Sequence, residues 1–394
     1  MKNKLILFFL LIGFQNVYSQ LPGVNSLDPG KLLKNKQAYL KKESAVVEPV
    51  NQLIKVADSY LRDTAVAVTD KDFTPPSGSK HDYMSMGPYW WPDSSKADGL
   101  PYIRKDGLRN PEIRKITDRS NLGQLEMKCK TLALAYFFTG KKEYAEKAVA
   151  FLQVWFLNPN TKMNPNLDYA QAIPGLNDGR GIGIIESRLL ADLADWIALL
   201  RDSPSLSSQD LNQLKDWYKD FLHWMLNSKN GKEEQLAQNN HGTYYDYQVA
   251  AFALFIGDKE QAKSILTATK KRILVQVKEN GEQPLELART NAYGYSTMNL
   301  DGWFKIAMLG DKVGLDFWNY AVGGKSLKKA LNYIIPYALG EKAFTYSQIS
   351  NYNKNDSYPL LLIAADKFND KSYLEKAKLA SAGGYNFLND LLYK

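Results

Sequence analysis

The chain has 394 residues, 45% hydrophobic and 23% charged, which is the composition of a soluble globular protein with room for one large domain or two ordinary ones. One cysteine, Cys129, excludes an internal disulfide framework and a cysteine-based zinc site, and three scattered histidines (His81, His223, His241) leave no His-rich metal motif. A formal charge of +8 beside 24 Tyr and 8 Trp, with no Lys/Arg block or nucleic-acid motif, points to an acidic polysaccharide as partner rather than nucleic acid.

Lys2 and Lys4 precede an apolar run at 5–14, and Val17-Tyr18-Ser19 offers a cleavage point before Gln20. This predicts an export signal over 1–20 and a mature protein in the periplasm or outside the cell. The run is too short for a comfortable membrane span, and no cysteine near the cut suggests an anchor. Residues 21–394 contain no linker or low-complexity tract and read as one domain. Apolar spacing predicts two helices over 32–61, then a helical hairpin over 125–138 and 144–156 with Gly140 as the stop and Cys129 as a small buried hydrophobe. A helix follows at 184–200. Ser207-Ser208-Gln209-Asp210 caps another at 211–226. Further helices are expected at 245–255, 259–277, 298–308, 327–339, 358–368 and 373–391. Strand-like alternation is scarce. The fold class is therefore all-α, built of antiparallel helix pairs, either as an open solenoid or as an (α/α) toroid around a cleft. No fixed repeat period favours a TPR-like array.

Two long stretches, 73–111 and 158–183, break the helical pattern and read as binding loops. The first carries His81, Tyr83 and the run Gly87-Pro88-Tyr89-Trp90-Trp91-Pro92, in which adjacent aromatics suit sugar stacking as well as loop packing. The second carries Tyr169-Ala170-Gln171 and Gly179-Arg180-Gly181-Ile182-Gly183; without a βαβ unit its glycines are a turn that presents Gln171 and Arg180, not a dinucleotide site. Gln238-Asn239-Asn240-His241-Gly242-Thr243-Tyr244-Tyr245 crowds two phenols, an imidazole and several amides ahead of an apolar helix, more than a helix cap needs. Pro284-Leu285-Glu286-Leu287-Ala288-Arg289-Thr290 leads to Tyr293 and Tyr295, which share one side if the segment is extended; Arg289 suits a bidentate carboxylate contact, or a surface pair with Glu286.

These four segments, in this order, resemble the alginate-lyase family of α/α-toroid polysaccharide lyases. The resemblance implies β-elimination on a uronic-acid polymer. Removal of the C5 proton needs the neighbouring carboxylate neutralised. By resemblance Asn240, His241 and Arg289 take that part, while Tyr295 acts as base and then as acid to the O4 leaving group. The family spacing selects Tyr295 over Tyr293. Arg289 and His241 are expected to favour its phenolate. Substrate contacts are expected from His81, Tyr89, Trp90, Trp91, Gln171, Arg180, Asn239, Tyr244 and Tyr293. The resemblance implies no metal and no cofactor. In β-mannuronate and β-glucuronate the C5 proton and O4 lie on one side, so one tyrosine serves both steps. Mannuronate-rich alginate is therefore the first expectation and glucuronan the second, while His241 as a second group keeps guluronate open. Two other classes remain: a hydrolase with an acid pair, for which Glu186 and Glu286 are candidates, and a non-catalytic uronate-binding protein.

Overall fold

The computed structural model describes residues 21–381 and 386–394, so the expected export signal over 1–20 lies outside the described residues. Helices are arranged in an inner circuit and an outer layer. The inner circuit runs Ser44–Tyr60, Asp118–Thr139, Arg188–Leu199, Asn240–Ile256, Ala292–Val313, Tyr358–Lys367 and Phe387–Tyr393, each packed on the next and the last packed on the first. The ring therefore closes, and the architecture is an α/α toroid. Outer helices pack behind it: Lys142–Leu152 on Asp118–Thr139, Ser208–Asn227 and Lys259–Thr269 on Asn240–Ile256, and Ser372–Ala380 on Tyr358–Lys367.

Composition decides the layer. Asn240–Ile256 is buried nearly all round, its few polar side chains included, and only His241, Leu254 and Ile256 keep partial exposure, as an inner helix must. Ser208–Asn227 buries one stripe, including Leu214, Trp217, Phe221 and Met225, and leaves the other face wet. Its N-terminus is capped as expected, with Ser207 accepting from the Asp210 amide. Gly140 ends Asp118–Thr139 in the left-handed region at φ 72°. One apolar cluster extends from Val24 to Leu392 and takes in Cys129. No helix among the described residues is long and apolar enough to cross a membrane.

Several expected helices differ in their bounds. The 259–277 stretch breaks into Lys259–Thr269 and Arg272–Gln276, and 373–391 divides into Ser372–Ala380 and Phe387–Tyr393. The helix expected at 298–308 begins earlier, at Ala292, and so absorbs Tyr293 and Tyr295. The two loops make the few strands: Met84–Met86 runs parallel to Tyr169–Ala172, and Trp90–Trp91 runs antiparallel to Ile103–Arg104. These pairings lay both loops over one mouth of the ring.

Candidate active site

The Asn-Asn-His-Gly run forms the first turn of Asn240–Ile256. Asn239 is its cap, its side-chain oxygen accepting from the His241 amide at 3.2 Å. Gly242 is required because a Cβ there would run into the Ala237 carbonyl and the Arg272 guanidinium. Gln276 fixes this turn from behind. Its Nε2 donates to the carbonyls of Gln238 and Asn239 at 2.9 and 3.1 Å. Its Oε1 accepts from Thr243, Asn299 and Trp303 at 3.0, 3.1 and 2.7 Å. This buried network ties Asn240–Ile256 to Ala292–Val313 and sets the spacing of the groups both helices carry.

Two buried carboxylates orient the turn. Glu286 accepts from the Asn240 backbone N–H at 2.7 Å and from Asn240 Nδ2 at 2.6 Å. Glu234, on Lys229–Gln235, lies 2.7 Å from His241 Nδ1. That bond assigns the proton to Nδ1 and leaves Nε2 as the free ring nitrogen.

Across from them stands Tyr295. Its hydroxyl accepts from Arg289 Nη2 at 2.8 Å and lies 2.7 Å from the Tyr89 hydroxyl, while the guanidinium sits 3.8 Å from its ring centroid. Arg289 is itself held by Asp106, with Nη2 and Nε donating at 2.9 and 3.3 Å, and Thr290 donates to the same carboxylate at 3.1 Å. Burial works against the charge on Asp106, but Arg289, Thr290 and Arg104 outweigh it and hold the carboxyl below its usual range. Tyr295 departs from expectation. Burial and a hydrogen bond that spends the Tyr295 proton on Tyr89 push its hydroxyl well up, and Arg289 only partly offsets them. Desolvation therefore favours the phenol over the phenolate that its cationic neighbour suggested.

The third group sits on the paired loops. Arg180 donates through Nε and Nη2 to Gln171, at 3.1 Å to its carbonyl and 3.0 Å to its side-chain oxygen, and lies 5.7 Å from the Trp90 ring. Gln171 adopts φ 51°, a strained conformation for a residue with a Cβ. It is held there by Ser85, whose Oγ accepts its N–H, and by Glu186, which accepts from its Nε2. Glu186 is buried and also takes hydrogen bonds from Tyr83 and Ser85.

These groups line one cleft of about 570 Å³. Of the residues expected to act, Asn239, Asn240, His241, Arg289, Tyr295, Tyr89, Trp90, Gln171 and Arg180 line it. Four others do not. Tyr293 is two positions from Tyr295 on a helix, hence about 200° round its axis, and its ring is buried against Phe344 and Tyr352. Tyr244 is buried too, its hydroxyl donating to Asp301 and the Met298 carbonyl beside a neighbouring cavity. His81 Nδ1 pairs with the Lys162 carbonyl, and Trp91 Nε1 donates to the Leu108 carbonyl; neither lines the cleft. Glu186 and Glu286, the candidate hydrolase pair, are each buried behind the cleft rather than facing across it.

Among the described residues, six arginines line the cleft (Arg104, Arg109, Arg119, Arg180, Arg188 and Arg289) and no carboxylate does. Four of them were not singled out in the sequence, nor were Asp106 and Glu234. Arg104 and Arg109 flank an Asp106-Gly107 turn inside the aromatic loop, a readable hint; nothing local marks Arg119, Arg188 or Glu234. Among the described residues no cluster of His, Cys, Asp and Glu is set to hold a metal ion. The arrangement offers phenol, imidazole and amide at one point of a cationic groove, which suits proton transfer next to a carboxylate.

A family profile described as alginate lyase matches residues 67–344. The crystal structure of an alginate lyase from Bacteroides ovatus superposes with a TM-score of 0.90 at 38% identity, over 94% of this chain and 99% of that one. A histidine-to-alanine variant of alginate lyase A1-III complexed with a tetrasaccharide gives 0.61 at 13% identity, over 97% and 98%. Alginate lyase A1-III from Sphingomonas species A1 gives 0.53 at 14% identity, over 86% and 94%. At such identities the last two speak for the fold alone. Comparison with curated proteins gave no significant match.

Proposed function

The chain belongs to the alginate lyase family, and from that premise we propose that it cleaves alginate, mannuronate-rich stretches first, by β-elimination with Tyr295 passing the proton. The observation that carries the reading is the Tyr295 hydroxyl, hydrogen-bonded to Arg289 and Tyr89 in a cleft lined by six arginines and no carboxylate. A polyanion is drawn into such a groove, and a hydrolase finds no acid pair there.

The substrate carboxylate sits against Asn240 and His241, with Arg289 beside them as the cation that meets negative charge moving onto it from C5. Tyr295 takes the C5 proton and returns one to O4 on the same face of a mannuronate ring. Its high proton affinity suits the second half; for the first half it must be ionised, and Arg289 is the group that stabilises the phenolate. The rate is therefore expected to rise toward alkaline pH. Arg104, Arg109, Arg119, Arg180 and Arg188 meet carboxylates of neighbouring sugars, and Trp90 offers a ring face. The basic and apolar start of the chain supports export ahead of this activity.

A second reading concerns guluronate, in which the C5 proton and O4 lie on opposite sides. Glu234 on His241 Nδ1 leaves Nε2 as an acceptor, which favours His241 as base and Tyr295 as acid on that sugar. The test offers polymannuronate, polyguluronate and glucuronan to wild type and Tyr295→Phe and follows the ultraviolet absorbance of the C4–C5 unsaturated product. Wild type should produce it fastest from polymannuronate, and the variant should lose about 10³-fold in kcat. Faster turnover of glucuronan would change the substrate, and undiminished activity in the variant would remove Tyr295 from the mechanism.

A further inference from the structure

Asn240 is fully buried and lines the cleft, yet its hydrogen bonds all run the other way. Backbone N–H and Nδ2 both go to Glu286, and Oδ1 is buried with no partner at all. An orphaned acceptor is a poor neighbour for the carboxylate of a uronate, which brings acceptors of its own. An asparagine amide has nearly the same shape either way round, so turning it over moves no other atom. Turned, with a proton on Glu286, Oδ1 accepts the Glu286 O–H and Nδ2 occupies the orphan position as a donor for the substrate. The 2.6 Å separation between the amide and Glu286 Oε2 is closer to an O–H···O bond than to an ordinary N–H···O bond. Glu286 Oε1 keeps the Asn240 N–H in both arrangements.

We propose that Glu286 is a positioning acid that is protonated in the active form and so aims the Asn240 amide nitrogen at the substrate carboxylate. The proposal rests on the reading of Asn240 as a group that neutralises that carboxylate. The charged and titratable groups around Glu286 are Arg289, on its own segment, and His241, on the facing helix. Burial raises the Glu286 carboxyl, and although the Asn240 bonds, Arg289 and His241 pull it down, the balance stays above the usual glutamate range. A substrate carboxylate arriving at Asn240 adds a like charge and favours the neutral form further.

The test compares Glu286→Gln with wild type on polymannuronate across pH. Glutamine donates to Asn240 Oδ1 and accepts its N–H but does not ionise. The ratio of kcat/KM, variant over wild type, should be flat in the acid range and climb about tenfold per pH unit once Glu286 ionises. A ratio that stays flat throughout, or a variant that loses kcat at every pH while keeping KM, overturns the proposal. The second measurement needs no catalysis: the side-chain carboxyl ¹³C signal of Glu286 in the free protein, assigned by its loss in Glu286→Gln or in Glu286→Asp. A titration midpoint above the ordinary glutamate range supports the proposal, and a carboxylate shift through the weakly acid range sinks it. If wild type releases no unsaturated product, the lyase reading fails while the ¹³C result still decides the state of Glu286.

Discussion

The helical wall of the cleft holds Asn240 and His241 with carboxylates shut away from water, Glu286 and Glu234 each at 1% exposure. The loop wall holds Arg289 with Asp106, whose side chain is 23% exposed. Both walls use one device, a carboxylate set behind the group that lines the cleft, at two depths of burial. The buried versions fix direction firmly, because removing one partner leaves the other with no water to turn to. The loop version is open to replacement by solvent. Among the described residues the cleft is lined by cations, neutral polar groups and a few apolar side chains, so a polyanion meets no repelling charge from the lining.

Glu234→Gln tests the buried side. His241 then faces a neutral amide that can present nitrogen as well as oxygen, so its tautomer is no longer fixed, and kcat on the best polymer should fall on the order of a hundred-fold with KM within a few-fold. Steady-state kinetics in which KM rises and kcat holds would turn His241 into a plain binding residue. Asp106→Asn tests the exposed side. Arg289 stays stacked on Tyr295, and water replaces one charged bond, so kcat/KM should drop about tenfold. A loss as large as that of Glu234→Gln would mean that burial does not set the difference between the walls. Arg109→Ala, on the same loop, should raise KM about three- to tenfold at unchanged kcat and flatten the salt dependence of kcat/KM. A fall in kcat alone would place Arg109 at the reacting sugar instead. The smallest effect belongs to Tyr293→Phe. Its ring faces the core, so kcat should stay within about twofold and stability within about 1 kcal/mol by thermal denaturation. A large loss of kcat would contradict the assignment of Tyr295 as the cleft tyrosine.

The site was legible where its signals are local. Asn239, Asn240 and His241 announced themselves by crowding polar groups at a helix start, and Arg289 by its suitability for a carboxylate contact, whereas Tyr295 was separated from Tyr293 only by the family resemblance. Tyr293 and Tyr244 misled, because a phenol reads alike whether it faces a cleft or a core. For Tyr293 the error lay in the backbone: an extended segment puts residues two apart on one side, and a helix puts them on opposite sides. The start of Ala292–Val313 was not readable, since Asn291 gives no side-chain cap bond to mark it. Asp106 as the partner of Arg289 was invisible for another reason. Asp106 and Arg289 are 183 residues apart, and no periodicity connects positions at that distance.

What the sequence determined by itself was the helical architecture, the approximate place of most helices and the crowding of polar groups at the start of one of them. These follow from apolar spacing, capping and composition, all of which act over a few residues. Only the tertiary structure decided that the ring closes, that Tyr295 and not Tyr293 faces the cleft, and that six arginines scattered from 104 to 289 converge on one groove. Those outcomes depend on which faces of distant helices and loops meet. Packing fixes that choice across the whole chain, and no local pattern carries it.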